Sequence, residues 1–490
     1  MALPKPSLPP PLLFLLLLLL LLPFAFFAPT ANGTGVFRVH QKHSGRKPGA
    51  IEDFKAHDSG RHERILSSVN FPIGGLGSIN NIGLYYTQIG IGTPPKNYYV
   101  QVDTGSDLFW VNCFTCKLCP KKSTSGMKLT YYDPRSSKTG SLVQCGETFC
   151  SSVYTSKYVG CSSDELCMYK VVYGDGSSST GYFVTDYIQY DGVSGDHQTE
   201  PINATVTFGC GAQQSGDLGP SSETIDGILG FGQGNSSMIS QLASSGKIRK
   251  IFAHCLDSSD GSGIFAVGDV VQPKVSTTPL VPNQKHYNVN LTGIEVGGTF
   301  LRLPTYLFDD GANKGAIIDC GTTLAYLPDA VFKQLLNAIF KFHQGLTIHN
   351  NGVFVCFRYS GSVDVEFPKV TFHFEKSLTL TVYPHEYLFQ DKEDVWCVGW
   401  QNSGAQSRDG KDMFILGDMV LSNKLVIYDL ENQVVGWVKH NCSSSIKIQD
   451  DKTGEIYSVD AHHITSACTM KTGRFTSLLS LIIMMYYLLY

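Results

Sequence analysis

Charge is scarce in this chain. Lys, Arg, Asp and Glu make up only 16% of its 490 residues, and the net charge is −4 with His neutral. Proteins that hold nucleic acid concentrate cations against phosphate, so a chain with no basic excess is not expected to have such a partner. Low total charge also limits self-repulsion once carboxylates are protonated in acid. Helical periodicity is equally sparse. Gly, Ser, Thr, Val and Tyr alternate through the middle of the chain instead, which predicts a mainly β body. Metal-ligand spacing is missing too: Cys113, Cys116 and Cys119 begin like a zinc pattern, but no second pair of matching spacing follows. Neither a metal nor a cofactor is expected. Long apolar runs are confined to the two ends. Hydrophobic residues still amount to 42%, enough for sizeable cores in two or three domains.

What the chain does contain is a repeated loop. Asp103-Thr104-Gly105-Ser106 and Asp319-Cys320-Gly321-Thr322 each follow a hydrophobic run, and each has a hydrophobic partner ending in Gly later in its own half: Gly227-Ile228-Leu229-Gly230 and Phe414-Ile415-Leu416-Gly417. Two ordinary turns would not carry matching partners, so the duplication predicts one half-site per lobe. Two carboxylic acids held ~3 Å apart cannot both ionise cheaply and therefore share a proton, one serving as base and the other as acid. Such a pair activates water for attack on a peptide carbonyl without a covalent enzyme intermediate. Because the proton belongs to the coupled pair, the sequence does not assign it to either residue.

Three further segments extend the pattern: Tyr85-Tyr86-Thr87-Gln88-Ile89-Gly90-Ile91-Gly92-Thr93-Pro94-Pro95, Trp110, and Val172-Tyr173-Gly174-Asp175-Gly176-Ser177. With these the chain resembles the pepsin-like aspartic proteases, in particular the plant, nepenthesin-like group with a cysteine-rich insertion in the first lobe. The resemblance implies a mainly β, bilobal fold with the active-site cleft between two related lobes. It implies that Asp103 and Asp319 are catalytic, that Ser106 and Thr322 bond the outer carboxylate oxygens, and that Gly105 and Gly321 let the loops meet. It also implies cross-lobe bonds from Thr104, and a Tyr173 flap whose phenol meets the Trp110 indole over an extended peptide substrate. Without the resemblance, both aromatics would read as core. One position departs from the pattern. Cys320 stands where the family supplies a symmetrical hydroxyl, and a thiol is a weak donor and acceptor. The loss of about 1 kcal/mol predicts a looser grip between lobes. The alternatives are an impaired relative that binds or inhibits other proteins at the cell surface, a structural surface glycoprotein, or a cysteine nucleophile at 320, which has no His near it in sequence.

The ends and the cysteines point to the secretory route. Residues 1–31 read as a signal peptide, and residues 32–82 as a basic pro-like segment or linker. The N-terminal lobe is expected over 83–282 with its insertion at 113–167, the C-terminal lobe over 283–442, and a stalk over 443–466. Nothing in the second lobe resembles the saposin-like insert of some plant relatives. Small residues around Ser466, a polar spacer and a short apolar tail match a GPI-attachment signal over 467–490. The tail is shorter than a membrane span and lacks a basic flank. A GPI-anchored monomer on the extracellular face of the plasma membrane is therefore expected. Of the 14 cysteines, twelve in the body are expected to form disulfides, with Cys320 free and Cys468 beyond the body; spacing does not fix the connectivity. Sequons begin at Asn32, Asn203, Asn235, Asn290 and Asn441, the first lying beside the signal peptide.

Overall fold

A computed structural model describes residues 35–41, 85–123, 128–154, 161–173, 177–220, 223–246, 248–257, 262–308, 315–403, 413–450 and 453–460. The signal peptide, Asn32, Ser466, the attachment signal and residues 174–176 of the flap turn lie outside the described residues. The architecture is mainly β, in two lobes. Its largest element is a 14-stranded sheet, accompanied by a five-stranded sheet and two four-stranded sheets in the second lobe.

Strand patterning explains the sheets. In Lys96–Asp103 the exposed start gives way to a run buried on both faces. Gly227–Gly230, Ala316–Ile318 and Phe414–Leu416 are wholly buried. Such two-sided burial marks interior strands, which need no polar face. Lys96–Asp103 runs parallel to Gly227–Gly230, with Asp103 opposite Gly230, and the latter pairs antiparallel with Trp110–Asn112. The second lobe repeats this. Ala316–Ile318 runs parallel to Phe414–Leu416, which pairs antiparallel with Ala325–Leu327. Each partner motif thus lies beside the strand that delivers its acid.

The lobes share a sheet, so the expected boundary at 282/283 does not separate two sheets. Lys424–Asp429 pairs with Ile251–Leu256, Phe252 opposite Tyr428. Val434–Lys439 in turn pairs with Ser276–Pro279.

Folded strands also lie within two segments expected outside the lobes. The pro-like segment contains a core strand of the first lobe: Gly35–Gln41 lies between Ser262–Val267 and Tyr85–Ile91 in the large sheet. Val36, Phe37 and Val39 are buried there, because a central position gives these apolar residues cover on both sides. The expected stalk is also partly folded. Ile446–Gln449 pairs with Asp269–Gln272 and with Ile456–Val459, burying Ile446, Ile448 and Val459. The alternation of Ile446 and Ile448 supplies the buried face.

Six disulfides join the twelve body cysteines: Cys113–Cys210, Cys116–Cys119, Cys145–Cys161, Cys150–Cys167, Cys255–Cys442 and Cys356–Cys397. Three are local to the insertion, whereas Cys113 reaches outside it. Cys320 is free and buried.

Candidate active site

Both acids sit at the ends of interior strands and are almost closed off from solvent, Asp103 at 0% and Asp319 at 3% exposure. Gly105 connects them. Its N–H donates to Asp103 Oδ1 at 2.9 Å, and a Cβ at Gly105 would lie 2.7 Å from Asp319 Oδ2 and 2.8 Å from Asp319 Oδ1. Only a residue without a side chain leaves room for the opposite carboxylate. Gly321 meets a different need, a φ of 128° that side chains rarely adopt. Its N–H donates to Asp418 Oδ1 at 3.3 Å.

The outer carboxylate oxygens are held as expected. Ser106 Oγ donates to Asp103 Oδ2, and Thr322 Oγ1 donates to Asp319 Oδ2 at 2.6 Å. Such bonds favour the ionised form of a carboxylate. Across the lobes, Thr104 N–H donates to the Cys320 carbonyl at 2.8 Å. Cys320 N–H donates to Thr104 Oγ1 at 2.8 Å, and that hydroxyl lies 3.1 Å from Asp319 Oδ1 and 3.3 Å from the Cys320 carbonyl. The hydroxyl part of the grip therefore runs through Thr104, with a thiol on the other side.

The flap pair also meets. Trp110 Nε1–H donates to the Tyr173 phenol at 2.7 Å. Met168–Val172 pairs antiparallel with the start of Ser178–Gly195, and Tyr173 N–H closes onto the Ser177 carbonyl at 2.8 Å. Both rings are buried in one cluster with Leu108, Tyr169 and Ile228, so they serve as core as well.

Sequence reasoning missed several buried polar groups on the elements that carry the acids and behind them. Asp418 is buried and its N–H donates to the Thr322 carbonyl at 2.7 Å, buttressing the second loop. Asp226, next to the partner motif of the first lobe, accepts from Tyr99 N–H at 2.8 Å and Thr130 N–H at 2.6 Å. Burial pushes its carboxyl up to about 6 against those two bonds. Tyr428 and His254 lie behind Thr104, with His254 Nε2 3.2 Å from the Tyr428 hydroxyl. Burial holds the Tyr428 phenol well above its ordinary value, aided by the nearby Cys320 and Asp319 and opposed by a hydrogen bond with Thr104. The one sequence signal for this layer was the apolar run at 425–428, which reads as ordinary core.

Among the described residues, no group of three or more His, Cys, Asp or Glu is arranged to hold a metal ion, and Cys113, Cys116 and Cys119 are taken up in disulfides. No described helix is long and apolar enough to cross a membrane. Asn203, Asn235 and Asn441 are exposed. Asn290 is half-buried and donates to Glu375 Oε2 at 3.0 Å. Cys442, inside the Asn441 triplet, is bridged to Cys255.

Two family models match the chain, xylanase inhibitor N-terminal over residues 85–269 and xylanase inhibitor C-terminal over residues 286–439. Aspartic proteinase 36 of Arabidopsis thaliana is 47% identical over 465 residues, covering 95% of this chain and 96% of that protein. The chain belongs to the plant pepsin-like aspartic proteases. A second member of this family, aspartic proteinase 39 of Arabidopsis thaliana, is 46% identical over 457 residues, covering 93% and 94% of the two chains. Among solved structures, conglutin gamma, a basic 7S globulin from lupine seeds, superposes with a TM-score of 0.60 at 19% identity over 83% of this chain and 95% of its own. That likeness concerns the fold alone.

Proposed function

We propose that the chain is an active aspartic endopeptidase, working in acid at the extracellular face of the plasma membrane under a GPI anchor, on extended peptide segments laid between its lobes. The observation carrying this reading is the pair of carboxylates flanking Gly105: Asp103 bonded to its N–H and Asp319 packed against its Cα. In the reaction, the ionised member of the pair takes a proton from water and the resulting hydroxide bonds to the scissile carbonyl carbon. The protonated member donates to the developing oxyanion. Proton transfer to the amide nitrogen then breaks the C–N bond and releases amine and acid. Thr104, Ser106 and Thr322 keep the carboxylates aimed, which is where most of the catalytic benefit of a preorganised site resides. The Trp110–Tyr173 bond sets the base of the flap that covers the peptide. The nepenthesin-like character of the insertion, the signal peptide, attachment near Ser466, glycosylation at exposed sequons and a monomeric state belong to the same proposal.

A second reading is favoured by one residue. Cys320 weakens the pattern at the grip, and the matching family models bear the name of an inhibitor, so a binding protein that no longer hydrolyses peptides is the alternative. Incubation of the matured ectodomain with a denatured protein from acidic to neutral pH separates the two. The endopeptidase reading expects cleavage that is greatest in acid and abolished by a statine-type transition-state mimic. Intact substrate at every pH in a folded, fully bridged preparation hands the case to the binding protein.

A further inference from the structure

Two carboxyl groups share a proton only while they are held close, and the grip between Thr104 and Cys320 carries a hydroxyl on one side only. A second joint connects the two Asp loops by another route. It is built on Phe231-Gly232-Gln233-Gly234, the turn that follows the strand Gly227–Gly230. In the first lobe this turn is bonded to the Asp103 loop three times. Phe231 N–H donates to the Asp103 carbonyl at 2.7 Å and Gly232 N–H to the Ser106 carbonyl at 2.9 Å. Gly234 N–H donates to Asp107 Oδ1 at 2.9 Å. The approach is close, since a Cβ at Gly232 would lie 2.3 Å from Asp107 Oδ1. Turn and loop therefore move as one piece.

The same turn is held from the second lobe. The Tyr287 hydroxyl donates to the Phe231 carbonyl at 2.6 Å. Gln233 Nε2 donates to the His286 carbonyl at 2.7 Å, with the Gln284 carbonyl at 3.5 Å. Both partners of that amide are acceptors, so its nitrogen and not its oxygen must face them. His286 and Tyr287 lead into Asn288–Val289, which pairs antiparallel with Ala316–Ile318. The Tyr287 carbonyl accepts from Ile318 N–H at 3.0 Å, and Ile318 immediately precedes Asp319. The path from one acid to the other thus runs from the Asp103 carbonyl through Phe231 and Tyr287 to Ile318, each link a hydrogen bond of 3.0 Å or less. The Tyr287 ring is fully buried, edge-on to Tyr428 at 4.6 Å and to Phe252 at 6.0 Å. Its hydroxyl has little freedom to leave Phe231.

We infer that Gln233 and Tyr287 are positioning residues: through the turn at 231–234 they clamp the lobes a second time and set the distance between Asp103 and Asp319. This clamp does not depend on the hydroxyl that Cys320 fails to supply. The inference rests on the endopeptidase reading and deepens it.

The test is peptide hydrolysis across the acid range by wild type, Asp103→Asn, Tyr287→Phe, Gln233→Leu and Ile448→Val, with active sites counted by a tight statine-type inhibitor. Tyr287→Phe keeps the packed ring and deletes the donor. In it and in Gln233→Leu, kcat is expected to fall about fivefold, the worth of one buried hydrogen bond, with KM changed less than about twofold. The plot of kcat/KM against pH should also narrow, because acids held further apart repel less when ionised and share a proton less well. Opening a ~3 Å pair by about 0.5 Å brings the two limbs roughly half a pH unit closer at an effective dielectric constant of about 20. Ile448→Val trims a buried side chain in the sheet built on the C-terminal segment, and it should lower Tm while leaving kcat and the width of the profile as in wild type. Wild-type kcat or an unnarrowed profile in Tyr287→Phe overturns the inference and leaves the endopeptidase reading intact. Equal narrowing in Ile448→Val overturns it as well, since the profile would then report stability alone. Wild type as inert as Asp103→Asn defeats the endopeptidase reading and the inference with it. Should Tyr287→Phe not fold, Gln233→Leu decides by the same two readings.

Discussion

Phe37 offers the sharpest test of the fold, because it lies in a segment that sequence alone reads as a basic pro-like segment or linker. Its ring is 2% exposed and meets Tyr190 at 5.3 Å, Phe231 at 5.9 Å and Phe265 at 6.1 Å between centroids. Phe231 follows Gly230, which is paired with Asp103, so this cluster sits directly behind the first Asp loop. Truncating a buried Phe to Ala costs about 4 kcal/mol from lost transfer energy, the residual cavity and broken ring pairs. In a body of this size such a loss lowers Tm by about 5 °C. The assay is thermal unfolding of the matured protein carrying Phe37→Ala, with Phe37→Leu as a milder companion expected to cost about 1 kcal/mol. A melting curve unchanged in Phe37→Ala would show that Gly35–Gln41 is not part of the mature sheet. Cutting the chain within 42–84 should leave the strand bound, since its ladder bonds and buried side chains do not depend on the connection.

Two further outcomes follow from the site. Tyr173→Phe strips the acceptor from the buried Trp110 Nε1–H, and kcat/KM should fall about tenfold for loss of flap positioning; unchanged kcat/KM would detach that bond from catalysis. Asp226 has a folded value of about 6 against an ordinary 3.8, so the folded state binds more protons between those values. Its contribution to stability is full below about 4 and is lost as pH rises through about 6. Asp226→Asn should flatten the dependence of Tm on pH across that window, and identical slopes in both proteins would refute the assignment.

The candidate site was legible because it is written locally and twice. An acid followed by Gly and a hydroxyl residue, repeated with a partner motif, marked two candidate half-sites, whereas Trp110 and Tyr173 were paired only through the family resemblance and would otherwise read as core. Elements made by long-range pairing were not legible. Val36, Phe37 and Val39 are a short apolar set in a stretch dominated by His, Lys and Arg, and nothing nearby states that Ser262–Val267 receives them. The alternation Ile446, Ile448 was a usable strand signal, masked by the Ser and Asp residues around it. Disulfide partners followed sheet geometry, as with Cys255 and Cys442, which chain spacing does not encode. Tyr428 and His254 read as core because they are core.

The most direct measurement is digestion of a denatured protein in acid by the matured, fully bridged ectodomain, set beside Asp103→Asn and Asp319→Asn with matching melting curves. The account predicts cleavage by wild type and at least a thousandfold loss in each variant, in line with removing one of two groups that act as a unit. Equal digestion by wild type and either Asn variant, or none by any of the three, would contradict it.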